Sequence, residues 1–94
     1  MVVGLCTVQL QVPWSSSLKD KRRVLRSVLA KLRNEFNVSV AEVDQQDSRQ
    51  FATIAVACVS SDAGYAHGLL LRAVRFIETN RFDLVLLDYE TELL

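Results

Sequence analysis

Two stretches with helical spacing, each set between stretches that alternate or run apolar, predict an α+β fold. The order strand, helix, strand, strand, helix, strand is that of a ferredoxin-like βαββαβ sandwich, with an antiparallel sheet of order 4-1-3-2 and both helices on one face. The 94 residues are half apolar and no Pro/Gly-rich stretch divides them, so a single domain over residues 1–94 is expected.

Strand one is read over Val2 to Val12, where Cys6, Val8, Leu10 and Val12 alternate with Thr7, Gln9 and Gln11. Pro13 cannot donate to a ladder and turns the chain into Trp14-Ser15-Ser16-Ser17. Ser17 followed by Asp20 resembles a capping box, which starts a helix at Leu18 and carries it to about Glu35. On a wheel of about 100° per residue, Leu18, Leu25, Leu29, Leu32 and Phe36 share one side with Val28 beside them, and this is the expected core stripe.

The β-branched stretch from Asn37 to Val43 predicts strand two, and Phe51 to Val59 predicts strand three, with Asp44 to Ser48 as the hairpin turn. Ser61-Asp62 caps a second helix that runs to Asn80 on Ala66, Leu69, Leu70, Ala73, Val74 and Ile77. Gly64 and Gly68 each weaken that helix by ~1 kcal/mol, which predicts close packing there or a late start. Phe82 to Tyr89 is nearly continuously apolar, the pattern of a last strand buried on both sides.

Charge excludes a global field: Lys and Arg number 11, Asp and Glu 11. The balance is local. Ser17 to Glu35 holds seven basic and two acidic residues, net +5, and the rest of the chain holds four basic and nine acidic, net −5. Lys19, Arg22, Arg23, Arg26 and Arg33 share one sector beside the apolar stripe, whereas Lys21 and Lys31 fall elsewhere. The first of these sit where the helix dipole is already positive, which disfavours them by up to about 1 kcal/mol each. A phosphate or a nucleic-acid backbone would offset that cost, and an ordinary solvated face is the alternative.

At Ser17-Leu18-Lys19-Asp20-Lys21-Arg22-Arg23, and again at Phe36-Asn37-Val38-Ser39-Val40-Ala41-Glu42-Val43, the sequence resembles the YlxP-like family of small bacterial proteins, a domain of unknown function. The resemblance spans nearly the whole chain and supports the same fold. It brings no activity, cofactor or catalytic residue. Members tend to be encoded near translation factors, so the resemblance implies an RNA or ribosome setting. The family's hairpin often carries an aromatic where this chain has Arg49.

No apolar run approaches the ~18 residues of a membrane span and no signal-peptide pattern opens the chain, so a cytoplasmic protein without membrane attachment is expected. Cys6 and Cys58 lie in strand-like runs with no CxxC pair, so both are expected buried, reduced and close together across neighbouring strands one and three. His67 and Asp62 share one helix at an unsuitable spacing for a triad, and Glu42, Asp44 and Asp47 lack the pattern of a calcium loop. No glycine-rich phosphate loop exists, so no cofactor, metal or catalytic constellation is expected. The open sheet face should present Thr7, Gln9, Thr53, Ala55 and Ala57, without the aromatics on which RNA-recognition folds stack bases. Two functions follow as expectations: a non-enzymatic module holding RNA or a ribonucleoprotein on the basic helix, or a homo-oligomer, such as a homodimer, built on the open face. In the second, the basic stripe would meet Asp88, Glu90 and Glu92.

Overall fold

A computed structural model describes residues 1–80 and 82–94. The elements are β1 (Val2–Gln11), α1 (Leu18–Glu35), β2 (Ser39–Asp44), β3 (Phe51–Ser60), α2 (Ala63–Thr79) and β4 (Val85–Leu93). Their sheet has the order β2-β3-β1-β4 with every neighbouring pair antiparallel, which is the expected ferredoxin-like arrangement. Both crossover helices pack on one face, because Cys6, Val8, Leu10, Ile54, Val56 and Cys58 share a core with Leu25, Val28 and Leu32 of α1 and with Ala66, Leu70 and Ile77 of α2.

Each helix starts on its expected cap. Ser17 Oγ accepts from Asp20 N–H at 3.1 Å, and Asp62 Oδ2 accepts from Tyr65 N–H at 2.7 Å. Asp20 also reaches back, but to Ser16 instead of the cap residue: its Oδ2 lies 3.4 Å from the Ser16 N–H and hydroxyl. The helix ends meet through edge-to-face rings, Phe36 to Phe76 at 5.6 Å and Phe76 to Phe82 at 6.2 Å.

Cys58 pairs with Gly4 and Val56 with Cys6, so the two thiols are diagonal neighbours on adjacent strands, both buried and free. That much was expected. Gly4 explains how the face closes over them: a Cβ there would lie 3.1 Å from both Cys58 Sγ and Leu70 Cδ1. Burial pushes the Cys6 thiol up from 9.0 to about 11, with the Glu90 backbone pulling slightly the other way.

Three expectations need correction. The last strand, at the sheet edge as the expected order requires, begins at Val85, continues through Glu90-Thr91-Glu92 and is mostly exposed instead of buried on both sides. Its apolar run misled because Phe82, Leu84 and Leu86 pack on the core, whereas a register irregularity opposite Gln9 and Leu10 leaves Leu87 half exposed. Gly64 and Gly68 are not tightly packed, since an added Cβ would meet only Asp62 Oδ2 at 3.5 Å or Arg72 Nη1 at 3.6 Å in ordinary contact, and α2 does not start late. Finally, the core stripe of α1 is Lys21, Leu25, Val28 and Leu32, while Leu18, Leu29 and Phe36 are only partly buried.

Candidate nucleic-acid interface

The basic sector of α1 reaches solvent: Lys19, Arg22, Arg23, Arg26 and Arg33 are all exposed. The tertiary structure divides them. Arg22, Arg26 and Arg33 line a shallow groove of about 280 Å³ beside β2, floored by Leu25 and Leu29 and closed by Glu42. Arg33 is anchored there, its Nη2 donating to Val40 O at 3.1 Å. Arg23 lies on the other flank, pairs with Asp20 at 3.2 Å in a largely exposed contact, and faces Trp14 across a second cleft. Such an exposed pair contributes at most about 1 kcal/mol. Lys19 stands between the two groups.

Lys21, outside the basic sector and left out of the expected core stripe, is a core residue. Among the described residues it is the largest fully buried side chain, at 0% exposure, and its ammonium donates to Gln45 O at 2.8 Å and to Phe51 O at 3.0 Å. Its third proton faces Glu42 Oε2 at 3.1 Å, a charge contact whose angle falls short of a hydrogen bond. A buried ammonium is tolerable only when its charge is matched and its protons are accepted, and the β2–β3 hairpin supplies both. The signal was in the sequence, because Lys21 falls between Val28 and Leu32 on the wheel, inside the apolar arc. The net +5 of Ser17 to Glu35 therefore includes one charge, that of Lys21, which is buried.

The hairpin bends to reach Lys21. Gln45 adopts a left-handed backbone, φ 61°, which disfavours a residue with a side chain by roughly 1–2 kcal/mol. Three contacts hold it: the Lys21 bond, an N–H donated to Asp44 Oδ1 at 2.8 Å, and Gln45 Oε1 lying 3.0 Å from Thr53 Oγ1. Lys21 and Glu42 also join the two segments, Ser17 to Arg23 and Phe36 to Val43, on which the family resemblance was based.

On the open face Thr7 pairs with Ala55, Gln9 with Thr53, and Leu5 with Ala57. Thr53 lies on this face but is 5% exposed, because Gln9 and Gln45 fold over it, with Thr53 Oγ1 2.7 Å from Gln9 Oε1. That leaves Thr7, Gln9, Ala55 and Ala57 as the partly exposed members of the set. Asp88, Glu90 and Glu92 stand opposite Gln9, Thr7 and Leu5 on β4, so carboxylates edge this face on the side away from α1 and β2. His67 is exposed on α2 and Asp62 is occupied as the cap. Among the described residues, no group of three or more His, Cys, Asp or Glu is placed to hold a metal ion, and no helix is long and apolar enough to cross a membrane.

The model of the DUF503 family, described as a protein of unknown function, matches residues 3–91. The chain belongs to the DUF503 family. It is 33% identical over 78 residues to an uncharacterized protein, YlxP, of Bacillus subtilis (strain 168), covering 83% of this chain and 85% of that one. Among solved structures, a de novo designed protein, Foldit4, superposes with a TM-score of 0.52 at 14% identity, covering 98% of this chain and 96% of that one, a likeness of fold alone. In this DUF503 chain, then, the fold and the buried Lys21 link are defined by the residues above.

Proposed function

We propose that this DUF503 chain is a cytoplasmic, non-enzymatic binding module that holds RNA or a ribonucleoprotein on the basic face of α1. The observation that carries the reading is the exposure of Lys19, Arg22, Arg23, Arg26 and Arg33 on one helix, three of them along one groove. The placement of Lys19, with Arg22 and Arg23 in the next turn, near the positive end of the helix is unfavourable for α1 by itself and favourable for a bound polyanion. If about five phosphates are neutralised on single-stranded RNA, log K falls with log salt at a slope near −3.5. Affinity then drops about 100-fold between 50 and 200 mM salt.

Anisotropy of a labelled single-stranded RNA, measured across that salt range, tests this directly. Replacing Lys19, Arg22 and Arg26 together by Glu should weaken binding and reduce the slope by about 2. Binding that is absent at low salt, or unchanged in the triple variant, removes the reading.

A second reading rests on a different observation: the open face is edged by Asp88, Glu90 and Glu92 at β4, while the basic groove lies at β2, the opposite edge of the sheet. Two copies could then meet through the open face with acidic and basic edges complementary. Sedimentation of the free protein and of Ala55→Arg separates this from the first reading, since only the oligomer is dispersed by the substitution.

A further inference from the structure

Trp14 is the sole tryptophan of the chain and is half exposed, in a loop between β1 and α1 that is otherwise well anchored. Its indole Nε1 donates to Asp83 O at 3.0 Å, which ties it to the segment before β4. Behind it, Ser15 is buried and donates from Oγ to Ser17 O at 2.9 Å. The ring is therefore held in place while still reaching solvent, which lowers the ordering cost of any contact made on it.

On one side of the indole lies a cleft of about 340 Å³, at the small end of the roughly 300–1,000 Å³ of ligand pockets. Its α1 wall carries a row, Arg23, Ser27 and Lys31, spaced four residues apart and adjoining the basic sector, with Val24 beside it. Phe82 closes the far side, with Lys31 Nζ 5.2 Å from the centre of its ring, so that face is already occupied by a cation. Trp14 is the aromatic left for a ligand. It also lines a shallower groove with Arg49 and Phe51, which places cations on either side of the ring.

An aromatic ring with cations beside it suits a ligand that is itself aromatic and anionic, and a nucleotide has both properties. We infer that the Trp14 cleft seats one unpaired base of a single-stranded RNA, stacked on the indole, with the flanking phosphates against Arg23 and Lys31. Asp83, which lines the same cleft, faces the base edge and accepts from an exocyclic amine or ring N–H. This inference rests on the RNA reading above and adds to it a base contact that the helix stripe does not provide. The stacking surface lies outside the sheet, in a loop, unlike the sheet-borne platforms of RNA-recognition folds.

The emission of Trp14 reports this cleft alone, since no other tryptophan contributes. The full chain is titrated with a short oligouridylate and with an abasic oligomer of equal length and charge, following intrinsic fluorescence and, with end-labelled oligomers, anisotropy. Quenching is expected with the oligouridylate and not with the abasic oligomer, which should bind about 10-fold more weakly. Trp14→Ala should lower oligouridylate affinity to the abasic level and leave abasic binding unchanged. Ser27→Leu, an exposed helix position that fills the cleft without touching the core, should do the same if Trp14→Ala proves unfolded by circular dichroism. Oligouridylate binding without quenching and without loss in either variant overturns the cleft and spares the basic-face reading. Failure of both oligomers to bind at low salt overturns both.

Discussion

Lys21→Met keeps the aliphatic stem of a fully buried side chain and removes only its ammonium, so the cost is electrostatic. The carbonyls of Gln45 and Phe51 lose a charged donor, which costs about 1–3 kcal/mol for each group left unpaired. Glu42 loses its counter-charge, and breaking a buried pair costs about 3–5 kcal/mol. The upper end does not apply here: although Glu42 Oε2 is buried, the side chain as a whole is 18% exposed, and its contact with Lys21 is not a well-formed hydrogen bond. With each cost at its low end, a loss of about 5 kcal/mol follows, or roughly 25 °C in Tm for a domain of this size. Glu42→Gln leaves both carbonyl bonds in place and should cost less, about 1 kcal/mol. In the double variant the two losses should fall short of their sum by about 1 kcal/mol. Urea denaturation followed by circular dichroism measures all three. A Lys21→Met variant within about 0.5 kcal/mol of the parent, a typical surface-substitution effect, would falsify the assignment of Lys21 as the pin between α1 and the hairpin.

Gly68→Ala should raise stability by up to about 1 kcal/mol, because the position is helical and a Cβ there meets only the end of Arg72 at ordinary contact distance, whereas Gly4→Ala should lower it by about 1–3 kcal/mol through overpacking against Cys58 and Leu70. Thermal melts of the pair reverse in sign if the packing is misassigned. Cys6 has a folded pKa of about 11 against 9.0 in the open chain, so the folded state keeps a proton that the unfolded state loses above pH 9. Its contribution is fully present below pH 9 and is lost as pH rises toward 11, by about 2 kcal/mol. Cys6→Ala should flatten the alkaline fall in stability by about that amount; a parallel fall in both proteins would contradict the burial of this thiol.

Local sequence determined much of this protein. The alternation in β1 and β3, the caps at Ser17 and Asp62, and the apolar steps along α2 each depend on near neighbours, and those neighbours are adjacent in the chain. Sheet order followed from the right-handed crossover of two βαβ units, and with it the placement of Cys6 near Cys58. The basic sector of α1 was legible for the same reason, since a helix wheel needs only spacing.

Other features depended on partners distant in sequence. The expected sheet order already put Phe82 to Tyr89 at an edge, but whether both of its faces are covered depends on what packs over them, and no local pattern records that. Thr53 reads as an open-face residue and is covered, because a left-handed turn at Gln45 swings an amide back over it. Trp14 reads as a loop residue, and only the approach of Asp83, 69 positions away, makes it one wall of a cleft. Lys21 is the sharpest case: its place on the wheel said buried and its charge said exposed. The conflict is resolved by two carbonyls and a carboxylate that only the folded hairpin brings within reach, since a buried ammonium is stable only where acceptors converge on it.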